Sequence, residues 1–186
     1  MRLARGGSED AFRRLYRDLF PPVSRYVETR VGHTQDAEDI TAGVFRRFVQ
    51  QLDRFDAGKG SVMTFVLAMT RNAIIDHYRR RRPSAADVHD LADVLAGTGP
   101  EPLQTLIRAE DLRTVRAAIA RQPAEVREMF SLRFDQGLRV REVAEVMGLT
   151  HDAAKQRFAR SLRRLQRELT DDKQTGKGES PCPVTD

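Results

Sequence analysis

Apolar side chains along this chain recur at intervals of three and four residues, and no stretch alternates polar and apolar positions long enough to make a convincing strand. Phe12, Leu15, Tyr16 and Leu19 form the first stripe, with Ser8 placed to cap the helix and Glu9 and Asp10 set favourably against its N-terminal dipole. Pro21 and Pro22 are expected to interrupt it, because proline lacks the N–H that the ladder needs and its ring crowds the preceding turn. A second segment then carries Val23, Tyr26, Val27 and Val31 on one face. Thr34 is the expected cap of a third helix, whose stripe is Ala37, Ile40, Val44, Phe45, Phe48 and Leu52. The glycines and aspartates of "DRFDAGKGS" mark a loop. From Ser61 a fourth helix presents Val62, Phe65, Val66, Met69 and Ala73, runs into Arg79, Arg80, Arg81 and Arg82, and stops at Pro83.

Residues 83 to 102, "PSAADVHDLADVLAGTGPEP", differ in kind: they hold no arginine or lysine, several acids, and proline and glycine toward both ends. They are expected to form a flexible linker. Helical spacing returns at about 103 to 121, then at 123 to 134 with Pro123 near the first turn, at 139 to 147 and at 151 to 169. The fold class is therefore all-α. Two small helical domains, 1–82 and 103–169, flank the linker, and a polar tail, 170–186, is expected to be disordered.

The most specific pattern lies in "VREVAEVMGLTHDAAKQRFARSLRRL". Val140, Val143, Ala144 and Met147 face inward on a short helix, Gly148 permits a tight turn, Leu149 plugs the corner and Thr150 can cap the next helix. Ala144 lies four residues before Gly148, where small size lets two helices cross closely. This is the pattern of a helix-turn-helix. Its second helix is expected to bury Ala154, Phe158, Leu162 and Leu165, leaving Lys155, Gln156, Arg157, Arg160 and Arg164 for an outer face. Such a helix can enter the major groove of DNA, its first residues reading base edges and its arginines holding phosphates.

Charge and composition narrow the function classes. The 186 residues are 40% hydrophobic and 32% charged, with a net charge of +5 that favours an anionic partner. No apolar window is long enough to span a bilayer, the N-terminus lacks the core of a signal peptide, and the single cysteine, Cys182, cannot close an internal disulfide. A cytoplasmic protein is expected. Asp36, Glu38 and Asp39 cluster at the start of the third helix, but no histidine or cysteine constellation joins them. With no HExxH, no CxxC pair and no phosphate-binding glycine loop, neither an enzyme nor a cofactor or metal is expected.

A basic helix-turn-helix behind a second helical unit with its own arginine block resembles one family. "DAEDITAGVFRRF", "TFVLAMTRNAIIDHYRRRR" and the run from Leu112 to Leu165 are similar, in that order, to regions two and four of bacterial sigma factors of the extracytoplasmic-function type. The resemblance covers about residues 9 to 169. It implies a promoter-specificity subunit that binds core RNA polymerase and promoter DNA, with an anti-sigma protein as a possible further partner. Carried over by position, Arg71, Asn72, Asp76, His77 and Arg79 to Arg82 would face the minus-ten element. His151, Lys155, Gln156, Arg157, Arg160 and Arg164 would face the upstream element, and Asp36, Asp39, Phe45 and Phe48 would lie in or near the polymerase contact. The "DRFDAGKGS" loop would help hold an unstacked base. The family commonly has tryptophan where Phe65 stands, and usually glutamine and an acid where Ala42 and Gly43 stand. Two other readings stay open: a stand-alone helix-turn-helix regulator, and a sigma-like decoy that binds an anti-sigma protein.

Overall fold

The computed structural model describes residues 9–58, 60–81 and 109–175. In chain order the helices are α1 (Glu9–Glu28), α2 (Thr34–Gln50), α3 (Val62–Arg81), α4 (Ala109–Ala120), α5 (Ala124–Phe130), α6 (Val140–Met147) and α7 (His151–Thr175). A short 3-10 turn, Leu52–Arg54, follows α2, and a wide π-helical turn, Ser131–Asp135, extends α5. The expected all-α class holds. Ser8, the linker 83–102 and the last residues of the tail, 176–186, lie outside the described residues.

The first departure from expectation is in α1, which runs unbroken through Pro21 and Pro22. A proline inside a helix costs about 3 kcal/mol or more. Leu19, Val23, Tyr26 and Val27, on both sides of the prolines, are all 3% exposed or less. Burying each such side chain contributes about 1.5–3 kcal/mol, so the stripe outweighs the interruption. The caps are mixed. α2 begins at Thr34 itself, after His33, and no side chain caps it, which corrects the expected role of Thr34. Ser61 does cap α3, its Oγ accepting the Thr64 backbone N–H at 3.1 Å. Thr150 caps α7 through the Ala153 backbone N–H at 3.2 Å.

α3 organises the molecule, because it is covered on two sides rather than one. It packs on α1 and α2 and also on α6 of the second half. Its buried residues, Thr64, Val66, Leu67, Met69, Thr70 and Ile74, therefore circle the helix instead of following one stripe. The same core continues through Met129, Phe130, Leu132, Leu138, Val143 and Val146. The two helical units are thus docked on one another, and α3 does not keep a bare face opposite its packed one along its first turns. A single stripe of apolar positions implies one packed and one open side, and the second covering corrects that.

The helix-turn-helix forms as its sequence implies. Gly148 takes a left-handed φ of 67°, which glycine adopts without strain, and the Leu149 N–H returns to the Ala144 carbonyl at 2.8 Å. Gly137 adopts the same conformation, φ 68°, between the π turn and α6. In α7 Ala154, Phe158 and Leu165 are buried as expected, but Leu162 is 44% exposed and Ser161 takes the inward place. The helix also runs on to Thr175, past the expected start of the disordered tail.

Because one core spans both halves, Leu67→Ala, at a fully buried position, should lower stability by about 2–5 kcal/mol. Urea unfolding followed by circular dichroism should show one transition for the whole chain; two separate transitions, only one of them shifted, would contradict the shared core.

Candidate nucleic-acid interface

The cationic end of α3 follows from its sequence. Arg79, Arg80 and Arg81 occupy its last turn, where the negative end of the helix dipole favours them, and all three are exposed. Arg82 lies outside the described residues. Asn72 is exposed, while Asp76 and His77 are half-buried. Asp76, His77, Arg80 and Arg81 line one side of a cleft of about 320 Å³, and Asp36, Asp39, Gly43 and Arg47 of α2 line the other. The acids expected to meet polymerase and the cations expected to meet DNA thus face each other across one cleft. Within it Arg81 bonds the Asp36 carboxylate, with His77 Nε2 at 3.9 Å and His33 Nδ1 at 3.8 Å from the same oxygen.

Arg71 sits apart from this cluster. Its Nε donates at 2.9 Å to Oε1 of Glu128, a carboxylate of α5 that is 1% exposed. The Tyr26 hydroxyl of α1 donates to the same oxygen at 3.1 Å. Burial, above all, raises the Tyr26 pKa, so its hydroxyl keeps its proton and remains a donor. Arg30, itself 5% exposed, lies 3.5 Å over the Tyr26 ring and donates to Ser131 Oγ at 3.2 Å. Three helices and the π turn meet here.

The expected upstream face is open. His151, Lys155, Gln156, Arg160 and Arg164 are exposed along α7, and Arg157 is half-buried. Arg157 bonds Glu125 of α5, and Arg164 donates to Glu168 at 2.9 Å. Exposed pairs of this kind contribute at most about 1 kcal/mol each and exchange readily for phosphate.

Two of the expected polymerase residues are buried. Phe45 is 6% exposed and Phe48 is 1%, so neither offers a surface to a partner. Phe48 sits 6.4 Å from Phe65 in the core, and Phe45 lies 4.7 Å from Tyr16. Both hold α2 against its neighbours, while Asp39 is exposed on α2 and Asp36 is half-buried. Phe65 is half-buried against Phe55 at 5.5 Å, and Gly43 has open space beside it. The residues missed by sequence reading are Glu128, Tyr26 and Arg30. A single acid within the apolar run "VREMFSLRF" was the one available sign.

Glu142 completes the junction. Burial pushes its carboxyl up, but the Arg139 backbone N–H and the Ser61 and Thr64 hydroxyls outweigh that and hold it below the usual glutamate range. A carboxylate with a depressed folded-state pKa stabilises fully above the unfolded pKa, and that contribution disappears as pH falls through the folded value. Acid unfolding should therefore show a loss beginning below about pH 4 that Glu142→Gln reduces; an identical acid limb in the variant would show that these bonds are not formed.

Comparison with known proteins gives the same division. The family model for Sigma-70 region 2 matches residues 15–84, and that for Sigma-70 region 4 matches residues 112–165. The chain is 33% identical over 173 residues to the ECF RNA polymerase sigma factor BldN of Streptomyces coelicolor, covering 91% of this chain and 64% of that one. It is 28% identical to the ECF RNA polymerase sigma factor RpoE of Cereibacter sphaeroides, over 87% of this chain and 88% of that one. Among solved structures, the sigma factor RpoE of Bartonella quintana, crystallised with the anti-sigma factor NepR, shares the fold with a TM-score of 0.57 at 18% identity, over 86% of this chain and 97% of that one.

Proposed function

Since the chain belongs to the sigma-70 family, in the extracytoplasmic-function group, with region 2 and region 4 in order, we propose that it binds core RNA polymerase and directs it to specific promoters. It contributes recognition and strand opening and performs no catalysis of its own. It works in the cytoplasm, where polymerase and chromosome are found. The acidic start of α2, through Asp36 and Asp39, meets polymerase. The end of α3, through Arg71, Asn72, Asp76, His77 and Arg79 to Arg82, meets the minus-ten element, and the loop before it holds an unstacked base. The outer face of α7, through His151, Lys155, Gln156, Arg157, Arg160 and Arg164, meets the upstream element. An anti-sigma protein is a further partner within this proposal.

The observation that carries the reading is the presence of two cationic helical surfaces, one on each half, beside an acidic helix end. The exposed arginines at the end of α3 and the open face of α7 belong to different helical units. Two DNA surfaces on different helical units suit a promoter read at two places. A stand-alone regulator would use α7 alone and leave α3 and α2 without a task.

Core polymerase with this chain should start run-off transcripts at discrete sites on a genomic fragment library, and neither should do so alone; transcripts that do not depend on the chain would end the proposal. Asp39→Ala should weaken polymerase binding by about 1–2 kcal/mol, as truncation of a central contact does, while leaving the unfolding midpoint unchanged. Arg157→Ala should reduce upstream binding by about 1–3 kcal/mol where it makes a bidentate base contact, and unchanged affinity would show that another face of α7 meets DNA.

A further inference from the structure

The cleft between α2 and α3 holds unpaired charge of both signs. α2 contributes Asp39, Gly43 and Arg47, four residues apart and so on one face of the helix, and α3 contributes Asp76, His77 and Arg80. Asp36, in the same lining, is already taken by Arg81. Among the described residues, Asp39, Asp76, Arg47 and Arg80 form no ion pair with one another or with a third group. His77 Nε2 is a buried atom without a hydrogen-bond partner, the Asp36 oxygen at 3.9 Å being out of reach. Buried polar atoms are normally satisfied, so an orphan beside a cleft points to a group that the cleft receives. The floor is apolar: Val44 is buried, and Ile40 and Ala73 are half-buried. Gly43 keeps the cleft open. It stands inside α2, where glycine is a poor helix former, and a Cβ there would meet nothing within 4 Å. Its φ is not left-handed either, so neither packing nor backbone conformation requires glycine. What the missing side chain leaves is open volume, about 320 Å³, which is the size of a small ligand site.

We infer that this cleft binds a guanine base, its ring against Ile40, Val44 and Ala73. The side chains select the base. A carboxylate accepts from two adjacent N–H donors, and a guanidinium fork donates to two adjacent acceptors. Guanine alone among the bases offers both: N1–H beside the N2 amino group, and O6 beside N7. Adenine sets an acceptor, N1, beside its amino group, where a carboxylate is repelled. Cytosine has one donor group and thymine a single N–H. One of the two free acids, Asp39 or Asp76, therefore takes the guanine donors, and one of the two free arginines, Arg47 or Arg80, takes O6 and N7. His77 Nε2 lies within the same lining to meet a polar atom of the ligand. Such binding differs from the sequence-independent attraction of a basic protein for phosphate. The base can belong to a free guanine nucleotide or to an unpaired strand, since the chemistry that recognises it is the same. This goes beyond the promoter reading and depends on none of its assignments.

Calorimetric titration of the full chain with GMP and with AMP separates the base from the phosphate, which the two share. GMP should bind at least about tenfold more tightly, the discrimination that one good bidentate base contact supplies. Gly43→Leu should bring GMP down to the level of AMP while the unfolding midpoint stays the same or rises, because the new side chain has room. A second arm does not depend on filling the cleft: either Asp39→Asn or Asp76→Asn, whichever acid holds the donors, should remove the preference while leaving AMP binding unchanged. The source of the base is read from a thymine strand carrying one central guanine, compared with the same strand carrying adenine. A guanine preference in the strand assigns the cleft to unpaired nucleic acid, and a preference confined to GMP assigns it to a free nucleotide; either supports the inference. Equal binding of the two bases in both formats overturns it, as does a preference that survives Gly43→Leu or both acid variants. A wild-type chain without guanine preference whose Gly43→Leu variant loses affinity for core polymerase would give the cleft to a polymerase side chain, and this too overturns the inference.

Discussion

The carboxylate of Glu128, held by the Tyr26 hydroxyl and the Arg71 guanidinium, joins residues of α1, α3 and α5 in a place that water does not reach. Removing such charges from water costs several kcal/mol per ion, and only good geometry repays it. Apolar contacts alone would let the two halves slide, because they are not directional. The hydroxyl, the guanidinium and the carboxylate permit one arrangement. Arg30 extends the cluster by lying on the Tyr26 ring and reaching Ser131, so the π turn is registered against α1 as well.

The placement of α6 and α7 follows from that junction. With α5 in place, the π turn and the left-handed Gly137 lead into α6, whose Glu142 meets Thr64 at the start of α3. With α6 on α3, the open face of α7 points away from the shared core. Cations on the two halves consequently sit in different conditions. Arg71 is paired with a carboxylate that is almost wholly buried, whereas Arg157 and Arg164 are paired with exposed or half-buried acids. The first pairing is largely shielded from water, and the others lie at the surface.

Local chemistry makes much of the chain legible. The alternation of 3 and 4 locates the helices, and Gly148 with Thr150 locates the turn and the cap of α7 to the residue. The errors have a common source, which is that a stripe reports one packing surface at a time. Pro21 and Pro22 look like a break when the stripes on their two sides are taken separately, yet both stripes face the same core. Phe45 and Phe48 belong to the apolar stripe and to the polymerase motif at once, and motif position does not distinguish a residue that touches a partner from one that supports the helix that does. Leu162 belongs to the core by spacing alone, although Ser161 is turned inward instead.

What the sequence determined by itself is the helical class, the division into two units, the helix-turn-helix and the concentration of arginine at the end of α3. These depend on contacts within a few residues or on a single period. Tertiary structure alone decided which side of α3 is free, which arginine is already occupied, and that an acid in α5 is the partner of a tyrosine and an arginine in the other half. Tyr26 and Glu128 are separated by 102 positions, and their bond needs three helices in place before it can form. A pairing of that kind leaves no periodicity in either segment, because each residue taken alone has an ordinary neighbourhood, and only the docked geometry brings the charge and its two donors within 3.1 Å.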